Sequence, residues 1–478
     1  MPQHSLASTG AAASPRAKVG LFAIGLAAYW PQFPGLKERL DGYRGGVSTR
    51  LTAWCDVVDL GLIDDAPSAA VAGERLASEG VDLIFVHAAT YATSSQVLPA
   101  LQRAGTQVVV LNLQPASALD YERTDTGEWL ANCSACCVPE LSGALTRAGI
   151  PFRVVSGTLE GPHSVSAWRQ IQEWCLAAGV RRAVRGARLG FLGHTYPGML
   201  DLYTDFTRFQ GQLGVHVEML EMDDLANRVD AVAPADVELK MREARDMFAV
   251  DPAVDAPSLE WSARVAAAMD RVITDYHLTG LAYYYRGSGR FAEIGASLIL
   301  GGSLLTARGV PCSGEGDLKN CIAMLVMDRL GAGGSYTELY AMDFEQGFVL
   351  MGHDGPGHLA ICHSRPRLRS LELFHGKVGA GVSVEFNVRL GPITILGVTE
   401  TYDGRLKLLA AEGESLPGPT MRIGNTNSRL RFPLGPADFM DAWCAEGPTH
   451  HVALGIGHVA GTLASLSNLL KLEYRRVC

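Results

Sequence analysis

The stretch Val81-Asp82-Leu83-Ile84-Phe85-Val86 is a short, mostly apolar run, and such a run is typical of a strand that is buried on both faces of a sheet. Amphipathic stretches of helix length, such as 67–78, 165–178 and 203–213, separate it from other runs of the same kind. These further runs lie at 19–24, 107–111, 152–155, 189–193, 215–220 and 278–284. Strand, helix and strand at this spacing predict βαβ units, so we expect an α/β protein with two Rossmann-like, doubly wound parallel sheets.

The pattern changes after about residue 345, where shorter strands alternate with glycine-containing turns. Residues 383–390, 394–400 and 406–411 predict antiparallel strands, the last two joined by a hairpin at 402–405. Leucines at helical spacing over 459–472 predict a terminal helix. The predicted organisation is a disordered tail at 1–17, an α/β domain at 18–180, a central α/β domain at 181–345, and a β-rich, mainly antiparallel domain at 346–478 with a terminal helix.

The composition is that of a folded protein with more than one domain, since 47% of its 478 residues are hydrophobic and 19% are charged. A net charge of −9 without a long basic run argues against nucleic-acid binding. The N-terminus lacks the apolar core of a signal peptide, and no apolar run reaches the roughly 18 residues that a membrane crossing needs. Ten cysteines without metal-site spacing predict free thiols, and we therefore expect a cytoplasmic protein with no membrane partner.

Two acidic side chains in the second half of the chain have unusual settings. Glu315 lies between two glycines in Gly314-Glu315-Gly316-Asp317, directly before a predicted apolar helix. Glu338 interrupts the apolar residues of a predicted strand, where a charge is costly unless it is paired or bound to a cation. An exposed turn would also explain the first setting, and a buried salt bridge would explain the second.

Four histidines are further candidate ligands. His353 follows a predicted strand in a glycine-rich loop, with His358 as a second choice in the same loop. His450 and His451 are adjacent, and only one of two adjacent strand residues can face a given site. Two carboxylates and two imidazoles suit Mn²⁺, with Co²⁺, Fe²⁺, Zn²⁺ or Mg²⁺ as alternatives. Such a pair of carboxylates at a metal can also move a proton between neighbouring carbons of a sugar.

In order and spacing, these motifs resemble those of the L-arabinose isomerase family, within the arabinose and fucose isomerase superfamily. The resemblance implies an aldose–ketose isomerisation through a cis-enediol, with Glu315 and Glu338 as the acid/base pair and as metal ligands. It also implies that His353 and His451 complete the coordination, with His450 as the alternate ligand. Family members form trimers that pair into hexamers, so the resemblance implies a homo-oligomer with active sites near subunit contacts.

The segments that contact the sugar differ from the family pattern. The loop after the first strand is Gly25-Leu26-Ala27-Ala28-Tyr29 and lacks the family's glutamine, and Leu111-Asn112-Leu113-Gln114 lacks the family's histidine. The predicted sugar contacts are Tyr29, His87, Gln114, Tyr284, Arg286 and His450. Two alternatives stay open: the same metal centre used for epimerisation, β-elimination or bond cleavage on a sugar or glycoside, and a non-catalytic sugar-binding protein.

Overall fold

The computed structural model describes residues 16–371 and 380–478, and these form two compact units, one within residues 15–182 and one within residues 183–478. The predicted tail at 1–17 lies outside the described residues except for its last two. Of these, Ala17 is buried, and its carbonyl accepts a hydrogen bond from the Asp56 N–H at 2.8 Å. None of the helices in the described stretches has the length and apolar character that crossing a membrane requires.

The first unit contains a parallel sheet of five strands in the order β2-β1-β3-β4-β5. Its strands are β1 Lys18–Ile24, β2 Asp56–Ile63, β3 Leu83–His87, β4 Val108–Gln114 and β5 Phe152–Thr158. Its helices are α1 Leu36–Leu51, α2 Ala66–Glu79, α3 Leu98–Ala104, α4 Thr126–Ala131, α5 Val138–Arg147 and α6 Val165–Arg185. The predicted doubly wound α/β architecture is confirmed here. The predicted domain boundary at 180/181 falls inside α6.

Helix α2 illustrates how local sequence sets these elements. The Asp65 carboxylate accepts a hydrogen bond from the Ser68 N–H at 2.7 Å, which caps the start of the helix. Pro67 lies in the first turn, where a missing N–H costs nothing, and Gly80 ends the helix with a φ of +60°. Strand β2 was not predicted, because it lies at the edge of the sheet and is only partly buried, so its sequence lacks a continuous apolar run.

The second unit begins with a parallel sheet of four strands in the order β10-β9-β6-β7. Its strands are β6 Arg188–Gly193, β7 His216–Leu220, β9 Gly280–Tyr284 and β10 Cys312–Ser313, and the short β8 Ala249–Val250 lies outside this sheet. Its helices are α7 Phe206–Leu213, α8 Met222–Asp230, α9 Pro234–Met247, α10 Ala256–Asp275, α11 Arg290–Ala296, α12 Leu298–Ala307 and α13 Leu318–Arg329. The predicted second parallel sheet is therefore present.

A mainly antiparallel β region follows, as predicted. Its strands are β11 Ser335–Asp343, β12 Phe348–His353, β13 Arg367–Ser370, β14 Val382–Glu385, β15 Gly391–Glu400, β16 Leu406–Leu416, β17 Thr426–Arg431, β18 His451–Ile456 and β19 Glu473–Arg476. Seven of them pair in the order β15-β18-β11-β12-β17-β16-β19, and a further pairing of β15 with β16 closes six strands into a ring. Helices α14 Pro436–Ala445 and α15 Ala460–Leu470 accompany them, and the terminal helix was predicted.

Two details of this region differ from the prediction. The strand predicted at 383–390 ends at Glu385; beyond it, Val388 forms only an isolated antiparallel bridge with Cys362, and its N–H donates to the side-chain hydroxyl of Ser428 at 3.0 Å. Strand β11 was assigned to the central α/β domain, but it pairs antiparallel with β12 and β18. Its sequence gave no sign of this, because its partner β18 lies more than a hundred residues further along the chain. The pairing places Glu338 directly opposite both Gly352 and His451.

Candidate metal centre

Glu315 lies in the short loop between β10 and α13. Its φ is +58°, a conformation that is uncommon for any residue except glycine and that often marks a functional position. The next residue must be a glycine, because a Cβ on Gly316 would lie 2.6 Å from the His194 carbonyl oxygen. Asp317 then begins α13, and its Oδ1 accepts a hydrogen bond from the Asn320 N–H at 2.9 Å. The loop geometry is thus determined by the residues on the C-terminal side of Glu315.

Adjacent strands present the other predicted ligands. The Nε2 of His353 lies 3.1 Å from the Nε2 of His451 and 3.8 Å from the Oε1 of Glu338. The Oε2 of Glu315 lies 3.6 Å from the same Nε2 of His451. His451 is therefore common to two groups of possible ligand atoms, each within 4.8 Å of one another: Glu338, His353 and His451, and Glu315, His450 and His451. Three of the four residues predicted as ligands, Glu338, His353 and His451, form one of these groups, and Glu315 is linked to them through His451.

His451 is held by a carboxylate that was not among the predicted site residues. The Oδ2 of Asp317 lies 2.9 Å from the Nδ1 of His451, and both side chains are fully buried. A carboxylate in this position keeps the proton on Nδ1, so that Nε2 presents its lone pair. Asp317 belongs to the same Gly-Glu-Gly-Asp motif as Glu315, and this motif was the signal available in the sequence.

Tyr336 is a second residue that the sequence analysis missed. Its hydroxyl lies 2.8 Å from the Nε2 of His451, and its ring packs 4.0 Å from that of His353, measured between centroids. Burial raises the pKa of Tyr336 well above its usual value, so the hydroxyl stays protonated. Tyr336 precedes Glu338 by two residues and therefore lies on the same face of β11. This two-residue spacing is the signal in the sequence that places Tyr336 beside the site.

The Nδ1 edge of the His450 ring faces Asp201 and not the other candidate ligands. Its backbone N–H and its Nδ1 both contact the Oδ2 of Asp201, at 3.0 and 2.6 Å, and its Nε2 lies 3.5 Å from the Oε2 of Glu315. Burial alone would lower the pKa of His450, but the carboxylates of Asp201 and Glu315 raise it to about 10. Burial likewise tends to raise the pKa of Asp201, and the hydrogen bonds from His450 bring it to about 2 instead.

These side chains fit a divalent cation. The Oε2 of Glu315 is buried and makes no hydrogen bond with the described residues, although the Nε2 atoms of His450 and His451 lie 3.5 and 3.6 Å from it. Two imidazole Nε2 atoms at 3.1 Å, one of them with a lone pair fixed by Asp317, point into the same space. Oxygen and nitrogen donors without a thiolate suit Mn²⁺ and the other divalent ions named above.

A cavity of about 480 Å³ opens beside this group, within the range of pockets that bind small molecules. Glu315, Glu338 and His353 line it, and so do Tyr284 and Arg286, two of the residues predicted to contact a sugar. The rings of Tyr196 and Tyr284 lie 4.7 Å apart on its wall. Burial raises the pKa of Tyr284 to about 12, so that the hydroxyl is a neutral hydrogen-bonding group.

Three further predicted sugar contacts, Tyr29, His87 and Gln114, lie in the first unit. Tyr29 ends a short 3₁₀ helix, Ala27–Tyr29, and Gln114 ends β4 with its amide donating to the Ala116 carbonyl at 2.5 Å. His87 ends β3 and is fully buried, and this burial lowers its pKa to about 4. The roles of these three residues stay predictions. His358, the second choice among the histidines, instead pairs with Asp328 at 3.1 Å.

Comparison with known proteins finds its matches among sugar isomerases. Residues 333–473 match the family model for the L-arabinose isomerase C-terminal domain, a range that contains Glu338, His353, His450 and His451. The chain is 26% identical over 378 residues to an L-arabinose isomerase of Nocardioides sp., covering 76% of this chain and 74% of that protein. It is 25% identical over 376 residues to an L-arabinose isomerase of Acidothermus cellulolyticus, with 76% and 74% covered. It is 23% identical over 293 residues to a sulfoquinovose isomerase of Alkalicoccus urumqiensis, with 61% and 65% covered.

Proposed function

We propose that this chain, whose residues 333–473 match the family model for the L-arabinose isomerase C-terminal domain, is an aldose–ketose isomerase that requires a divalent metal ion. The observation that carries the proposal is the convergence of Glu315, Glu338, His353 and His451 from separate segments of the chain. A protein that only binds a sugar has no need for two carboxylates and two imidazoles around one point.

The four converging side chains would hold the metal ion, and Mn²⁺ is our first choice among the ions that suit them. When bound, such an ion polarises the oxygens on C1 and C2 of the sugar. Asp317 keeps the Nε2 of His451 available for coordination, and Tyr336 packs against both histidines. His450 is oriented by Asp201 instead, and we assign it to the sugar rather than to the metal.

Glu315 and Glu338 act as the acid/base pair. One carboxylate accepts the proton from C2 of the aldose, and the electrons of that C–H bond form the double bond of a cis-enediol while O1 gains a proton. Return of a proton to C1 and loss of the proton on O2 then give the ketose, so that no atom is gained or lost overall. Both carboxylates line the cavity, where a bound sugar would lie within reach of either.

Tyr284 and Arg286 contact the sugar from the wall of the same cavity, and Tyr29, His87 and Gln114 stay proposed contacts from the first unit. By analogy with the family, we expect a homo-oligomer, a trimer or a hexamer, with active sites near subunit contacts. The size and aromatic lining of the cavity would also suit a substrate larger than a free sugar. The alternative function is therefore epimerisation, β-elimination or bond cleavage of a sugar derivative or a glycoside at the same centre.

The test is a screen of free aldoses and ketoses with the purified full chain and added Mn²⁺. We expect interconversion of at least one aldose–ketose pair, its loss after treatment with a chelator, and its recovery when Mn²⁺ is returned. The Glu338→Gln variant serves as the inactive control. Turnover of a glycoside together with silence on every free sugar would support the alternative and contradict the isomerase assignment.

A further inference from the structure

Building on the proposed isomerase function, we propose that the natural substrate is a sugar that carries an anionic group, such as a carboxylate, a sulfonate or a phosphate. Arg286 is the residue that recognises this group. The assignment names the class of substrate, which the metal centre by itself leaves open, because a metal and two carboxylates act on C1 and C2 whatever the rest of the sugar carries.

Arg286 is the one cationic side chain among the described residues that line the cavity, apart from the histidine of the metal centre. The other charged lining residues are carboxylates: Glu315, Glu338 and Asp354. The guanidinium of Arg286 makes no hydrogen bond or ion pair with the described residues, so its donors are available to a ligand. A neutral sugar would give such a cation no partner of opposite charge.

The backbone that carries Arg286 is fixed by a histidine. The Nδ1 of His194 lies 2.8 Å from the Thr195 carbonyl and donates to it, which leaves Nε2 as the acceptor of the ring. The backbone N–H of Arg286 donates to this Nε2 at 3.2 Å. The N–H of His194 in turn donates to the Tyr284 carbonyl at 3.0 Å, and the two rings pack edge to face at 5.3 Å. These contacts of His194 therefore fix the backbone on the N-terminal side of Arg286.

The residue after Arg286 also restricts the loop. A Cβ at Gly287 would come within 2.4–2.6 Å of the hydroxyl oxygen and two ring carbons of Tyr285, so a larger residue there would displace the Tyr285 side chain. Tyr285 itself packs against Phe291 of α11, with ring centroids 6.0 Å apart. His194 and Tyr285 thus restrain the backbone at Arg286, and the exposed guanidinium is the part that must be ordered when a ligand binds.

The chemistry of arginine then gives the ligand class. Its planar guanidinium donates two parallel hydrogen bonds to carboxylate, sulfonate or phosphate oxygens, and such charge-assisted pairs are stronger than neutral ones. The neighbouring Tyr284 hydroxyl stays protonated and adds a donor without a competing negative charge. The cavity volume of about 480 Å³ leaves room for a substituent beyond the sugar ring.

The experiment compares aldoses that differ only at the terminal carbon, as CH₂OH, carboxylate, CH₂-sulfonate or CH₂-phosphate, with the full-length, Mn²⁺-loaded enzyme. We expect kcat/KM to be about tenfold or more higher for an anionic member than for its neutral partner, the effect of one charge-assisted contact. The anionic member with the highest kcat/KM identifies the recognised group as a carboxylate, a sulfonate or a phosphate. In Arg286→Ala this ratio should fall toward one, and Arg286→Lys should restore part of it.

Arg290→Ala is the matched control, because Arg290 lies four residues further on, pairs with Asp230 and does not line the cavity. This variant should keep the ratio of the parent enzyme. A preference for the neutral sugar, or an equal loss on both partners in Arg286→Ala, would overturn the anionic assignment while leaving the isomerase intact. Turnover of no member of the panel, neutral or anionic, would instead contradict the proposed function on which the assignment rests.

Discussion

The Nε2 atoms of His353 and His451 lie 3.1 Å apart, although the two residues are separated by 98 positions in the chain. Strand β11 brings them together, because it pairs with β12 on one side and with β18 on the other. The register places Glu338 opposite Gly352 of β12 and His451 of β18, and its Oε1 lies 3.8 Å from the Nε2 of His353. The β region thus supplies three of the four proposed ligands, and Glu315 is added by the loop before α13.

The acid/base assignment predicts the effect of removing each carboxylate. Glu315→Gln and Glu338→Gln should each lower kcat by about 100-fold or more, because an amide of the same shape cannot exchange the proton. Circular dichroism should show both variants folded. Glu345→Gln, which changes an exposed carboxylate in the β11–β12 turn, should keep the activity of the parent. Near-normal turnover in either of the first two variants would remove that residue from the acid/base role.

Asp317 should control the affinity for metal through His451. Asp317→Asn keeps an oxygen that can cap α13, since asparagine is as good an N-cap as aspartate, but it removes the negative charge beside the Nδ1 of His451. We expect the Kd for Mn²⁺ to rise about 10- to 100-fold, the usual cost of losing such a partner, measured by calorimetric titration. An unchanged Kd with intact folding would show that this carboxylate only caps the helix.

Asp201 is predicted to position His450 and not to bind metal. In Asp201→Asn the two contacts to His450 lose their charge, and we expect kcat to fall about tenfold, roughly the loss of one charge-assisted hydrogen bond. The bound Mn²⁺ should remain at the level of the parent, as measured by elemental analysis. Asp223→Asn, a change at an exposed position of α8, is the control. Loss of the metal in Asp201→Asn would argue for His450 as a ligand.

His87 should make the stability of the protein sensitive to acid. Its pKa is about 4 in the folded chain and about 6.5 when unfolded, so the unfolded state binds the proton first. The contribution is complete above pH 6.5 and is lost as the pH falls toward 4, by up to about 3 kcal/mol. Urea unfolding of His87→Gln at pH 7 and pH 4.5 should show a smaller loss of stability than the parent. The exposed His163→Gln should behave as the parent, and equal losses in all three would refute this effect.

Much of the fold was predictable, because strands buried on both faces in parallel sheets have continuous apolar sequences. The seven runs identified between residues 19 and 284 all form strands. Strand β2 was missed because Asp56, Asp59 and Gly61 interrupt its apolar residues, whereas the edge strands β5 and β7 have apolar runs and were predicted. The pairing of β11 could not be predicted, since the sequence of a strand does not state which distant strand will lie beside it.

The four proposed ligands were also named from the sequence, by the cost of a charge among apolar residues and by a resemblance that fixed their order. The residues that contact the histidines of the site were not predicted from the sequence. Asp317 had a sufficient local explanation as a helix cap, and its second contact, to His451, depends on tertiary packing. Tyr336 looked like an ordinary core residue, and Asp201 lies 249 positions from the histidine that it contacts.

The central claim is that Glu315, Glu338, His353 and His451 hold one divalent cation. Anomalous diffraction from crystals of the full chain grown with saturating Mn²⁺ tests it most directly. The account predicts one strong anomalous peak per chain, about 2.0–2.6 Å from an oxygen of each glutamate and from the Nε2 of each histidine. A peak held by other residues, or no peak among these four side chains, would contradict it.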